Sequence, residues 1–320
     1  MSDDVWHTFA MRRVLWWLTV VMLAPIAVAV IARAFRLQAG PLAIVVAFMP
    51  WVTFACVVPF LLALLARSLT LAAITAGFAA LCAWWIMPLY TFEGGGTPAL
   101  KVASINATFG EADAGDIVAM VKAREIDVLA VQELTEDQVQ ALRDAGLDSE
   151  LPSSYVRPED GFKGIGLWSR YPMDGSPLDG MVANAIQAKV ETPSETMTVY
   201  AVHPAAPGVT EHKAWADDLS RLTFVLSAAI GPTMVIGDFN TTRDHAQFRT
   251  IEGLDYADAA DQAGAGFQPT FPEGRTPFPL VAIDHVMVRD TDLRAREFKT
   301  VTIDGADHRA IVVEYGERTN

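Results

Sequence analysis

Thr233-Met234-Val235-Ile236-Gly237-Asp238-Phe239-Asn240 is the stretch whose reading decides the fold. Four apolar or β-branched residues read as a buried strand. A glycine then lets the backbone turn, and a carboxylate and a carboxamide emerge two residues apart. Side chains at i and i+2 of an extended segment share one face. Asp238 can therefore orient or deprotonate a water while Asn240 donates to a phosphoryl oxygen.

The same grammar, an apolar run ending on a polar group, recurs along the chain. It gives Asn106 after Lys101–Ile105, Glu133 after Val128–Val131, and His203 after Thr198–Val202. It also gives Asp284-His285 within Ile283–Val288, and Asp307-His308 before Ala310–Glu314. Strand ends are where open sheets place chemistry. Further strands are expected at Gly164–Trp168 and Ala185–Val190. Helices are expected at Asp116–Arg124, at Thr135–Ala145 with Thr135 as N-cap, and at His212–Ala229. Strand–helix alternation gives way to a strand-rich middle, an order that predicts an α/β protein of packed sheets with helices outside. No internal repeat is present.

Hydrophobic residues make up 52% of the 320, with a mean hydropathy of +0.27. The excess lies in the first 90 residues. Val14–Ala32, Leu42–Ala66 and Leu69–Leu89 are each about long enough to cross ~30 Å of hydrocarbon, so three transmembrane helices are expected. Pro25, Pro50 and Pro59 do not exclude them, because kinks are tolerated in a bilayer. Trp16, Trp17, Trp84 and Trp85 read as membrane anchors. Glu93-Gly94-Gly95-Gly96-Thr97-Pro98 reads as a flexible joint. The expected organisation is a membrane region at 1–92, a linker at 93–99 and a catalytic domain at 100–320. Arg12, Arg13 and Arg67 against Arg33 and Arg36 give a narrow positive-inside vote. That vote puts Met1 in the cytoplasm and, across three spans, Asn320 and the catalytic domain outside it.

Residues 97–320 hold 19 Lys and Arg against 35 Asp and Glu, a net charge of −16. Such a surface repels a polyanion and opposes binding to duplex nucleic acid, which needs many cationic phosphate contacts. It leaves open a phosphorylated substrate held locally by a metal. Both cysteines, Cys56 and Cys82, fall in the apolar region, so the following domain has neither disulfides nor thiol catalysis.

Each polar strand end has an ordinary structural role open to it. Glu133 can cap the helix at Thr135, Asn106 can serve a turn, and His203 can close a strand. The joint order carries the reading. Ser104-Ile105-Asn106, Val131-Gln132-Glu133 and Gly166-Leu167-Trp168-Ser169-Arg170-Tyr171-Pro172 come first. Val202-His203-Pro204, Gly237-Asp238-Phe239-Asn240, Ile283-Asp284-His285-Val286 and Ala306-Asp307-His308-Arg309 follow. In this order they resemble the endonuclease/exonuclease/phosphatase (DNase I-like) superfamily over nearly all of residues 100–315. Ala306 departs from the serine that often precedes Asp-His there, which touches fine tuning of hydrogen bonding.

The resemblance implies a four-layer α/β sandwich with the site at one edge. It implies Glu133 as the main metal ligand, with Asn106 and Asp307 completing or supporting the coordination of Mg²⁺, or alternatively Mn²⁺. It implies Asp238 acting on the water, Asn240 and His203 on the phosphoryl oxygens, and Asp284 holding His308. Hard oxygen donors suit such a cation, and phosphoryl transfer needs positioning and charge neutralisation more than covalent chemistry. His212, His245 and His285 are read as surface or supporting groups, Asp258 and Asp261 as a solvated face, and Arg170 as part of a structural turn.

Apolar spans joined to this domain resemble the VanJ-type bacterial membrane proteins. That resemblance implies a multi-pass protein of the bacterial cell membrane whose partners are the bilayer and a lipid-linked phosphate, with undecaprenyl pyrophosphate as the candidate. A membrane-tethered extracellular nuclease and a non-enzymatic sensor on the same fold are the alternatives. Glu133 and His308 are both present, which opposes the sensor.

Overall fold

The computed structural model describes residues 3–210 and 212–317. Met1 and Asn320, on which the expected orientation turns, lie outside them. The chain forms two compact units: residues 1–87 with 244–246, and residues 88–243 with 247–320.

The first unit holds α1 (Asp3–Ala34), α2 (Pro41–Ala47), α3 (Met49–Ala55), α4 (Val57–Leu65) and α5 (Leu69–Ile86). Two of its stretches, Phe9–Ala34 and Leu69–Tyr90, are helices long and apolar enough to cross a membrane. The expected middle span, Leu42–Ala66, is not one helix. It breaks between α2 and α3, with a bend of 66°. Pro50 explains the position of the break. It sits in the first turn of α3, where its missing N–H costs nothing, whereas in a continuous helix it would remove a hydrogen bond and clash with the preceding turn. Leu23, Ile26, Val30, Val46, Met49 and Leu71 pack together, while Phe35, Phe54, Leu65 and Trp84 are exposed.

The second unit contains two six-stranded sheets. Its strands in chain order are β1 (Thr97–Asn106), β2 (Val128–Gln132), β3 (Ser153–Arg157), β4 (Ile165–Ser169), β5 (Met173–Pro177) and β6 (Ile186–Glu191). They continue with β7 (Thr196–Val202), β8 (Thr233–Asp238), β9 (Ala257–Asp258), β10 (Asp284–Arg289), β11 (Leu293–Val301) and β12 (Ala310–Glu317). One sheet runs β11-β12-β1-β2-β4-β3 and the other β5-β6-β7-β8-β10-β9. β1 starts at Thr97, inside the expected linker, because Thr97 and Pro98 pair with Glu317 and Gly316.

Helices α6 (Ala114–Arg124), α7 (Glu136–Asp144) and α8 (Leu147–Glu150) bury Ile117, Val121, Val139 and Leu142 against Ile105, Leu129 and Val131 of the first sheet. Asp113 caps α6 through Asp116 N, and Thr135 caps α7 through Gln138 N. Helix α9 (Lys213–Ala228) sets Leu222 and Leu226 against Tyr200, Val235 and Met287 of the second sheet. The sheets meet where β1 and β2 touch β8. The order is helix, sheet, sheet, helix.

Strand direction gathers the polar ends. β1 and β2 run parallel, with Asn106 opposite Gln132, and β7 and β8 run parallel, with Val202 opposite Gly237. β10 runs against β8 with Asp284 opposite Asp238, and β12 runs against β1 with Ile311 opposite Ser104. The C-terminal ends of β1, β2, β7 and β8 therefore share one edge with the starts of β10 and β12. Gly237 makes this edge close tightly. Its φ is +148°, and a Cβ there would lie 2.0 Å from the carbonyl oxygen of Val202.

Candidate active site

A cavity of about 510 Å³ opens at this edge. Its lining includes Asn106, Glu133, His203, Asp238, Asn240, Asp307 and His308. Asp284 stands behind it, holding His308. All eight residues singled out from the sequence are thus brought together.

Asp238 Oδ2 is the focus. Asn106 Nδ2 donates to it at 3.1 Å, and the Nε2 atoms of His203 and His308 lie 3.5 Å and 3.7 Å away. The other oxygen accepts from Asn240 N at 2.7 Å. Burial alone would raise the Asp238 carboxyl, but His308, His203 and the Asn240 N–H outweigh it and hold it at about 2. Asp238 is therefore a permanent carboxylate, suited to orienting a water and weak as a base at neutral pH.

Both histidines lean towards the charged form. Burial pulls His203 down, and Asp238 and Glu133 more than restore it. Burial also opposes charge on His308, yet Asp284 and Asp238 lift it to about 9. His308 Nδ1 lies 2.9 Å from Asp284 Oδ2, and its ring stacks on Phe271 with centroids 4.7 Å apart. Burial raises the Asp284 carboxyl against the pull of His308. His203 Nδ1 faces the Phe162 carbonyl at 3.0 Å, so that nitrogen carries a proton and Nε2 points to the carboxylates.

Glu133 accepts from Asn106 Nδ2 at 3.0 Å and from Phe109 N at 2.9 Å. Asp307 accepts from Thr108 Oγ1 at 2.7 Å and pairs with Arg275 at 2.9 Å. The Asn106 side-chain oxygen accepts from Thr108 N at 2.9 Å, and its amide nitrogen faces Glu133 and Asp238. Asn240 spends one N–H on the Pro204 carbonyl at 3.0 Å, which ties it to the segment after His203.

The backbone here is strained. Thr108, Phe109, Glu133 and Asn240 all hold positive φ, between 48° and 56°, a region that non-glycine residues enter at a cost and that clusters at functional sites.

Glu133 and Asp307 supply hard carboxylate oxygens, a donor chemistry that fits a divalent cation of the Mg²⁺ class. Asp238, Asp284 and His308 also form a group whose ligand atoms lie within 4.8 Å of one another. There, one His308 nitrogen is already engaged by Asp284, which leaves the ring Nε2 to offer.

Several contributors lay outside the sequence reading. Thr108, Phe109, Phe271 and Arg275 sit in loops with no periodicity to mark them. Asp258 is buried and not part of a solvated face. Its Oδ2 lies 3.0 Å from Nδ1 of buried His285, whose Nε2 lies 3.0 Å from the Thr241 carbonyl. Asp261 pairs with Arg243 at 2.7 Å, and His245 is likewise buried, within the first unit. Arg170 bonds Asp127 and the Ile126 carbonyl, a structural role.

Residues 102–308 match the model of the endonuclease/exonuclease/phosphatase family. No curated protein matches the chain. Among solved structures, TDP2 of D. rerio complexed with single-strand DNA product is similar at 17% identity and a TM-score of 0.57, over 68% of this chain and 98% of that one. A variant of the 3′ phosphatase NExo from Neisseria, bound to product DNA hairpin, is similar at 15% identity and a TM-score of 0.55, over 68% and 99%. A family protein from Bacteroides vulgatus is similar at 17% identity and a TM-score of 0.52, over 68% and 99%. With the two-sheet fold and the matched motifs running through the same residues, the chain belongs to the endonuclease/exonuclease/phosphatase family.

Proposed function

We infer that the protein is a membrane-anchored, metal-dependent phosphatase or phosphodiesterase acting on a lipid-linked phosphate, with undecaprenyl pyrophosphate as the candidate substrate. The observation that carries the hydrolase reading is the convergence of Asn106, His203 and His308 on one oxygen of Asp238, beside Glu133 and Asp307, in a single cavity.

Glu133, with Asp307, would hold Mg²⁺ or Mn²⁺, which supplies Lewis-acid polarisation of a phosphoryl oxygen. Asp238 orients the attacking water. His203 and His308 present N–H groups to the charge that builds on the phosphoryl and leaving oxygens. The water oxygen bonds to phosphorus, the bond from phosphorus to the leaving oxygen breaks, and one water proton ends on the leaving oxygen. Asp284 fixes His308 for this task. No protein nucleophile is needed.

The lipid part of the reading is supported by the two apolar helices and by the charge of −16 on residues 97–320. Tethering to a bilayer raises the effective concentration of a lipid phosphate and does little for a soluble polymer. An extracytoplasmic domain on a multi-pass anchor suits such a substrate. A C-terminal reporter that fluoresces only in the cytoplasm would then stay dark, and a bright one would reverse the orientation. The second reading, a nuclease, is favoured by neighbours solved with DNA products.

A hydrolysis screen of the full-length protein in detergent, reading both free phosphate and newly formed phosphomonoester, separates the two. It compares polyprenyl pyrophosphate, phosphoinositide, sphingomyelin and nucleic acid, each with Mg²⁺, Mn²⁺ or chelator. Chelator-sensitive release from polyprenyl pyrophosphate is expected. Preferential cleavage of nucleic acid would replace the lipid reading.

A further inference from the structure

The cavity has a charged floor and an apolar wall. Phe109, Phe162 and Val182 line it and remain 52%, 41% and 43% exposed. Both phenylalanines are fastened by their main chains to the reactive groups. Phe109 donates its N–H to Glu133, and Phe162 lends its carbonyl to His203. Their rings are held beside the phosphoryl position without being part of its hydrogen bonding.

Phe109 is the telling residue. Thr108, Phe109 and Gly110 take left-handed backbone in succession, with φ of 50°, 56° and 81°. Any residue but proline could give Glu133 that N–H, and glycine would give it without strain. A bulky aromatic side chain at positive φ is an outlier, and here it leaves half its surface in water. Packing does not account for the phenyl ring, and contact with a ligand does.

We propose that Phe109, Phe162 and Val182 form an apolar subsite that takes the hydrocarbon chain next to the phosphate of an amphiphilic substrate. This rests on reading the floor as the phosphoryl-hydrolysing centre. A hydrocarbon is favoured over a stacked base because the domain repels polyanions and because Arg275, the one lysine or arginine among the described lining residues, is paired with Asp307.

The test uses the full-length protein in a fixed detergent with Mg²⁺. Alkyl pyrophosphates and alkyl phosphodiesters from ethyl to decyl serve as substrates, beside a dinucleotide. The matching alkyl phosphonates, which are not hydrolysed, are titrated by calorimetry. In the parent, kcat/KM and phosphonate affinity should both rise with chain length. Phe109→Ser and Phe162→Ser should each cut the decyl-to-ethyl ratio about tenfold, as expected for losing one apolar contact. Ile230→Ser, at an apolar position 93% exposed beyond the opposite end of β8, should keep the parent's ratio. Phe109→Gly should lose the discrimination while melting no lower than the parent, which a packing role would not allow.

Ratios that are flat in the parent, or unmoved by both serine variants, would overturn the subsite even with hydrolysis intact. A dinucleotide preferred over decyl substrates, and lost in Phe109→Ser, would replace it with base stacking. Chain-length-dependent phosphonate binding without hydrolysis of any substrate would keep the subsite and remove the hydrolase reading.

Discussion

His308 Nδ1 lies 2.9 Å from Asp284 Oδ2, and both side chains are buried. The bond fixes which nitrogen of the ring faces the cavity, and the carboxylate stabilises the charge on it. A positioned pair of this kind works as a unit, so losses within it are far from additive. His308→Ala should lower turnover by roughly 10³-fold or more, and Asp284→Asn by somewhat less. In the double variant the second change should add little. A double-mutant cycle on phosphate release, with folding checked for each variant, measures the coupling. Strictly multiplicative losses would mean that the two residues act independently.

Glu133→Gln keeps the shape of the side chain and removes its charge. The amide can still accept from Phe109 N or Asn106 Nδ2, so folding should be little altered. Turnover should fall by on the order of a hundredfold or more, with a higher Mg²⁺ concentration needed for half-activity. Mg²⁺ titrations of both proteins check this, and full activity at low Mg²⁺ would remove Glu133 from the cation site.

The order of strands and their polar ends was legible because each central strand is an apolar run closed by one polar residue, and parallel pairing then stacks those ends at one edge. β11 escaped notice because its sequence, Leu293-Arg294-Ala295-Arg296-Glu297-Phe298-Lys299-Thr300-Val301, alternates charge with apolar residues at the edge of a sheet, where solvated side chains are normal. Glu133 and Asp238 could be read because carboxylates at strand ends stand out. The orientation of Asn106 could not, since an amide flips by rotation and only its neighbours decide which end faces in. Phe109 and Phe162 were hidden because their use depends on loop backbone, and no periodicity reports a left-handed residue. The break in the second apolar stretch was marked by Pro50, whose tolerance in membranes cuts against reading it as a stop.

His285 shows the same limit one layer behind the site. Its two nitrogens face Asp258 Oδ2 and the Thr241 carbonyl, each at 3.0 Å. A neutral imidazole can donate to only one of them, so the ring favours the cation. Burial opposes this, and the Asp258 bond outweighs it. Trp215 holds the same loop by donating to the Asn240 carbonyl and to Thr241 Oγ1. His285→Phe keeps the contacts with Phe239 and Phe248 and loses both the bond to Asp258 and the one bond to the loop, at the Thr241 carbonyl. It should cut kcat about tenfold while leaving KM near the parent's, because Asp238 and Asn240 shift while the rest of the cavity does not. His285→Gln, with one donor retained, should lie between. An unchanged kcat in a folded His285→Phe protein would show that Trp215 alone holds the loop.

Glu252 gives the stability of the protein a pH dependence. Burial pushes its carboxyl up. Arg243 pulls it back, Asp261 and Asp258 push it further, and the result is about 7 against an ordinary 4.5. The folded state therefore binds this proton more tightly than the unfolded chain does. The stabilisation is complete below pH 4.5, declines as pH rises through that interval, and is gone above pH 7. At mildly alkaline pH the folded protein carries a partly buried carboxylate, which costs on the order of 1–3 kcal/mol. Glu252→Gln removes the titration while keeping the volume. The variant should melt at a higher temperature than the parent at pH 8, and the gap should close or reverse towards pH 4.5. Melting curves of the two full-length proteins across this range decide the matter. Parallel curves with a constant offset would mean that Glu252 keeps an ordinary carboxyl in the folded state, and that Arg243 fully compensates its burial.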